Sequence, residues 1–229
     1  MNLQLLRFGK GMELGNGKVA VWEIESRRLF ARIVRSLLSE QGKDATEPYQ
    51  LWGDNGKAVN PKKALIVMNS LPTVPYDNKT LLGKLYSKVA QCIESDIELE
   101  NAIQDMGANI SRLIDDAGMS LWGNYSFAQG WALEQYLKAF EYRPNCGTHD
   151  ATLLEDCIRF FELCLDVGCA SPIVMVNAKS FFDTEDLEGL YSQAVFLGTS
   201  LLVLETQHDS SHFEQERKMV IDQDFLVSP

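Results

Sequence analysis

Two histidines four residues apart, His208 and His212, with Glu205 and Asp209 beside them, have the spacing of a metal-binding pair. His-Asp-Ser-Ser-His lacks the glutamate that supplies the general base in a zinc-protease helix, and it follows an apolar run as a polar loop, so the expectation is a solvated turn. A nucleotide-binding or metal-dependent hydrolase using His208/His212 is the alternative reading. A phosphate cradle needs GxxxxGK[ST] between a strand and a helix, so that backbone amides wrap the phosphates and a hydroxyl reaches Mg²⁺. Gly17-Lys18 is the nearest approach, but Val19 follows and position 12 is Met, which leaves a hairpin turn and no NTP hydrolysis. No GxSxG occurs and no Ser/His/Asp or Cys/His arrangement stands out. The five cysteines form no CxxC pair and are expected as reduced thiols, with Cys157 and Cys164 on an apolar helix face. These residues point away from an enzyme.

Carboxylates such as Glu94, Asp96, Glu98, Glu100, Asp115 and Asp116 could hold Ca²⁺ as oxygen ligands, but on a helix they read first as a solvated face. The 229 residues carry a net charge of −11, which excludes a simple basic nucleic-acid module. That charge is uneven: residues 1–75 are net +4 and residues 76–229 net −15. Arg27, Arg28, Arg32, Arg35, Lys57, Lys62 and Lys63 can therefore make a local cationic surface on an acidic protein. No apolar run reaches the roughly 18 residues needed to span a bilayer, and the first 17 residues lack a signal-peptide core, so a cytoplasmic protein is expected.

The elements that must position these residues follow from periodicity. Residues 4–8 and 19–24 read as a hairpin around Gly15-Asn16-Gly17. Ser26 caps a helix over about 27–41 that ends at Gly42, and Ala64 to Met68 is a short buried strand. From Leu82 to Ala117 apolar residues recur by threes and fours, a heptad seam interrupted at Asp96, where a kink or break is expected. A helix over 80–117 would be roughly 57 Å long, so much of it must project. A second helix over about 127–140 folds back along it, and Pro144, Cys146 and Gly147 end the excursion. Beyond it, Asp150 or Thr152 caps a helix to Asp166, Ile173 to Val176 is a strand, Asp183 or Thr184 caps a helix to about Phe196, and Leu201 to Leu204 is a strand. This alternation implies a mostly parallel sheet, with residues 219–227 as an edge strand. The organisation is α/β head over 1–77, helical leg over 78–143, and α/β head again over 144–229.

With head, leg and basic N-terminal third in place, the chain resembles the accessory spacer-acquisition protein of type II-A CRISPR systems over nearly its whole length. The residues that carry the resemblance are Met1-Asn2-Leu3, Gly15-Asn16-Gly17 before Val19 to Ile24, Phe30-Ala31-Arg32-Ile33-Val34, and Ala64-Leu65-Ile66-Val67 with Leu71. Ile110-Ser111-Arg112-Leu113-Ile114, Leu201 to Glu205 and Ile221-Asp222-Gln223-Asp224-Phe225 complete the set. The resemblance implies a P-loop-ATPase-like head without the ATPase motif and an extended α-helical leg. It also implies a ring-shaped homotetramer whose lysine-lined hole accepts double-stranded DNA ends. It places the protein, without catalysis, beside the CRISPR integrase pair and the RNA-guided nuclease of the same locus. Arg32 matches a family basic position; Arg27, Arg28, Lys57, Lys62 and Lys63 join it as DNA-binding residues by local clustering. Calcium near the junction of the leg helices is implied too, with Asn124 and Glu134 as the ligands carried over.

Overall fold

A computed structural model describes residues 1–127, 129–145, 151–209 and 212–228. The chain divides into two compact units, Met1–Pro75 with Asn145–Pro229, and Tyr76–Pro144.

The first unit holds two sheets. β1 (Asn2–Leu5), β2 (Gly11–Glu13), β4 (Tyr49–Trp52) and β5 (Ala58–Val59) form an antiparallel sheet in the order β2-β1-β4-β5. The larger sheet has the order β10-β9-β3-β8-β7-β6, from β10 (Val227–Ser228), β9 (Glu216–Ile221), β3 (Val19–Ile24), β8 (Leu201–Glu205), β7 (Ile173–Val176) and β6 (Ile66–Met68). Its strands are parallel except β10, which pairs antiparallel with β9.

The structure corrects the expected hairpin of residues 4–8 with 19–24. β3 is buried at every position, as a strand covered on both faces must be, so it belongs to the centre of the parallel sheet. β1 alternates between half-buried and buried residues and pairs instead with β2 and β4. Gly15, Asn16 and Gly17 do form a turn, with φ of 88°, 61° and 73°. A Cβ at Gly15 would lie 2.7 Å from the Ser200 hydroxyl, so that position needs glycine for space as well as conformation. The tail is corrected as well: it divides into β9, paired with β3, and the edge strand β10.

Alternation along β3 sends Ala20, Trp22 and Ile24 to one face, where Leu29, Phe30, Ile33 and Leu37 of α1 (Arg27–Ser39) meet them together with Leu3, Leu5, Tyr49 and Leu51 of the small sheet. Ser26 caps α1 through the Leu29 amide, but the helix ends at Glu40, in the left-handed region at φ 56°, before Gly42 is reached. The other face of the large sheet is covered by α5 (Leu153–Asp166) and α6 (Thr184–Phe196), whose Phe160, Phe161, Leu190 and Tyr191 are fully buried. Thr152 and Glu155 make a reciprocal capping box on α5, and Asp183 caps α6. Cys157 is buried on α5, where desolvation beside Asp156 pushes its thiol up to about 12, and Cys164 is buried further along the same helix. Cys146 and Asp150 lie outside the described residues.

The second unit contains α2 (Lys79–Glu94), α3 (Ile97–Gly118) and α4 (Leu133–Ala139). The seam does break at Asp96, whose carboxylate caps α3 by accepting from the Glu98 and Leu99 amides. The expected return helix over 127–140 is only Leu133–Ala139. Its approach is anchored by Trp131, which lies on Gly107 so closely that a Cβ there would come within 2.2 Å of the indole. Trp131, Tyr136 and Phe140 stack in sequence, at 5.1 and 4.5 Å between centroids. So short a return leaves Ile97, Leu99, Met106, Ile110, Leu113 and Ile114 of α3 exposed.

Candidate functional site

The first candidate site is the set of cationic residues of the head. Arg27 and Arg28 are the exposed first residues of α1, at the carboxyl end of β3. No acidic residue accompanies them in that turn, so they sit where the helix dipole disfavours cations and favours an anion. Arg28, Arg32 and Arg35 follow one another along one ridge of α1. Arg32 is committed to the fold: it ion-pairs with the fully buried Glu47 at 2.8 Å and donates to the Thr46 carbonyl, while Ser36 accepts from the Glu47 amide. That docks the α1–β4 connection, where Gly42 lies against Pro61. Lys62 and Lys63 follow Pro61 and are exposed at the amino end of β6, with Lys63 at φ 57°, and Lys57 is exposed in the turn after β4. β6 runs parallel with the other strands, so Lys62 and Lys63 stand at the opposite sheet edge from Arg27 and Arg28. The six residues are not gathered into one patch: Arg27 and Arg28 stand at one edge of the sheet and Lys62 and Lys63 at the other.

The second candidate site lies at the carboxyl edge of the same sheet, on the α6 face, where open α/β sheets place their ligand crevice. Glu23 and Glu205 are register partners on neighbouring strands, and both are buried. Two carboxylates side by side repel, and the surroundings resolve the conflict differently for each. Glu23 accepts from Lys179 at 2.7 Å, lies 2.6 Å from His208 Nδ1, and ion-pairs with Lys218 at 3.0 Å. Burial alone would raise its pKa, but these three bonds outweigh burial and hold it below the usual carboxylate range. Glu205 accepts the Lys179 backbone N–H at 2.8 Å and, among the described residues, has no comparable set of cations. Burial, reinforced by the charges of Glu23 and Asp209, pushes it up to about 7.

Lys179 also donates to Asp209 at 2.6 Å; those partners raise its pKa against a burial effect that would lower it. Lys218 reaches Asp209 at 3.4 Å and Glu216 at 3.5 Å. From α6, Tyr191 faces the cluster, with its phenol pushed up by burial and by Glu216, Glu205, Asp209 and Glu23. His208 and His212 therefore serve different carboxylates, Glu23 and Glu216, and do not converge as a ligand pair. Gly17-Lys18 is no phosphate cradle: its glycine completes the turn before β3, and the Lys18 ammonium donates to the Glu214 carbonyl.

Glu205→Gln is expected to change the pH dependence of stability. A carboxyl whose pKa is raised on folding contributes stability fully below about pH 4.5 and loses it as pH rises through about 7. The variant should equal the wild type near pH 5 and exceed it near pH 8.5 by up to about 3 kcal/mol, read from urea unfolding at both pH values.

Asn124 and Glu134 fare differently from the cationic residues. Asn124 is exposed beyond the end of α3, while Glu134 sits in the first turn of α4, accepts from the Ser87 hydroxyl at 3.1 Å, and lines a cavity of about 290 Å³ with Glu94 and Glu100. Among the described residues no three His, Cys, Asp or Glu side chains are disposed to hold a metal ion.

A mostly parallel α/β unit carrying a small antiparallel sheet, with a separate helical unit inserted between its two halves, is the class this architecture defines. It matches a solved structure, "Crystal structure of Stu0660 of Streptococcus thermophilus", with a TM-score of 0.57 at 13% identity, over 97% of this chain and 75% of that one. A search of curated protein sequences finds no match. The profile of the CRISPR-associated protein family Cas_Csn2 matches residues 43–225, and the chain belongs to that family. Its role is accordingly a CRISPR-associated one. Among the described residues no helix is long and apolar enough to cross a membrane.

Proposed function

We propose that this chain is a non-enzymatic, double-stranded DNA end-binding protein that acts in CRISPR spacer acquisition as a homotetrameric ring. The observation that carries this reading is the set of exposed cationic residues on the head of a CRISPR-associated family member. Arg27 and Arg28 at one sheet edge, Lys62 and Lys63 at the other, and Lys57 in the β4–β5 turn can meet phosphates without reading bases. The parallel order β9-β3-β8-β7-β6, with the β3–α1 turn at its centre, supports a P-loop-ATPase-like head, and the side chains in that crevice neutralise one another instead of cradling phosphate. The uncovered apolar face of α3 supports assembly with further copies of the chain. Four copies carry −44, so binding depends on a local cationic lining and on counterion release, and any divalent ion would act by neutralising carboxylates. In the cytoplasm its partners are DNA ends and, by family resemblance, the integrase pair and RNA-guided nuclease of the locus.

A ring can be threaded only from an end. A mobility shift should therefore show binding to a linearised plasmid and little to the same plasmid as a closed circle. Equal binding to both forms would exclude the ring reading.

A further inference from the structure

The ion cluster at the carboxyl edge of the large sheet has a feature that structural ion pairs do not need: its buried and exposed members are drawn from different segments and share the same two ammonium groups. Glu23 and Glu205 are fixed by β3 and β8, and Lys179 and Lys218 are held by the turn after β7 and by β9. The lysine side chains are 13% and 12% exposed. His208 and Asp209, in the turn that leaves β8, are 50% and 38% exposed and reach inward to Glu23 and to Lys179 and Lys218. That turn is thus held to the sheet by charges at its own end.

We propose that the Glu23–Glu205 pair and the His208–Asp209 turn form a proton-operated clasp, closed while Glu205 is neutral and released when Glu205 ionises and draws Lys179 away from Asp209.

The charge count around Glu205 supplies the reason. Lys179 and Lys218 are the nearby ammonium groups; Glu23, Asp209 and Glu216 are the carboxylates, and the Tyr191 phenol faces them from α6. With Glu205 protonated, Lys179 is shared by Glu23 and Asp209. Ionised Glu205, already bound to the Lys179 backbone N–H, is a third claimant on the same ammonium group and lies deeper in the fold than Asp209. Asp209, the most exposed of the three, is the one that water can compensate. A proton on Glu205 therefore favours the closed clasp, and the burial that raises Glu205 sets the midpoint near neutrality.

The test is amide hydrogen exchange of Thr206 to Asp209 at about pH 6 and about pH 8, corrected for intrinsic rates. Wild type should lose protection by about tenfold per pH unit above the Glu205 midpoint. Glu205→Gln, which keeps the acceptor for the Lys179 amide, should show the same protection at both pH values, with the core amides of β3 unchanged as evidence of folding. Lys179→Met should leave the turn open at both. Wild-type protection that is equal at the two pH values, or a pH dependence that survives in Glu205→Gln, would overturn the proposal.

Discussion

Glu23→Ala is expected to lower the unfolding free energy by about 3–5 kcal/mol near pH 7, the range for stripping one partner from a buried charge pair. The reason is local and specific. Glu23 is wholly buried and neutralises Lys179 and Lys218, which are nearly buried themselves, while fixing His208 at 2.6 Å. Removing it leaves Lys179 with Asp209, and Lys218 with Asp209 and Glu216, and opens a void beside the central strand. The sign of the pH effect discriminates charge from packing. A carboxylate whose pKa is depressed on folding contributes stability that is present above the ordinary value of about 4.5 and lost as pH falls through the folded value. The isosteric Glu23→Gln should therefore be costly near pH 7 and much less so near pH 3.5, measured by urea unfolding. A cost that does not depend on pH would show that shape, not charge, is what Glu23 provides.

The second large effect is on DNA. Lys62→Glu with Lys63→Glu reverses two exposed charges per chain, eight in the proposed tetramer, at the amino edge of the head sheet. Neither side chain has an ion-pair partner among the described residues, so the fold should be unaffected. Binding to linear duplex should be abolished, and in milder Lys→Ala versions the log–log salt slope should shrink by about 0.9 for each phosphate that the protein no longer neutralises. An unaffected double variant would move the lining to Arg27 and Arg28 at the opposite edge. Arg32→Ala is a poor probe of DNA binding, because it also leaves the buried Glu47 without its cation.

Much of the fold was legible in the sequence where one local signal decides the outcome. Ser26, Asp96, Thr152 and Asp183 each cap the helix that follows them, and Ile173–Val176 and Leu201–Glu205 are strands of a βαβ unit. Pairing between distant segments was not legible. Gly15-Asn16-Gly17 announces a turn but cannot say that β3 leaves its predecessor for a different sheet. The small sheet was missed, although Tyr49-Gln50-Leu51-Trp52 alternates and Gly53-Asp54-Asn55-Gly56 marks the β4–β5 hairpin. In the ion cluster, His208 and Asp209 stand out by spacing, but Glu23, Lys179 and Lys218 come from segments far apart in sequence. The signal that could have found them was a charge inside an otherwise apolar strand: Glu23 within Val-Ala-Val-Trp-Glu-Ile and Glu205 closing Leu-Leu-Val-Leu-Glu. Burying such a side chain is costly unless a partner waits, so its position advertises a partner without naming one.

The proposed passage of DNA through a closed ring is tested most directly by topology. The protein is loaded on linear plasmid, the ends are ligated, and the complex is then challenged with a salt concentration that disperses unligated complexes. A threaded ring should remain on the closed circle, because weakening the phosphate contacts does not unlink it, and should come off when the circle is cut once. Release from the circle at the same salt and rate as from linear DNA would contradict threading.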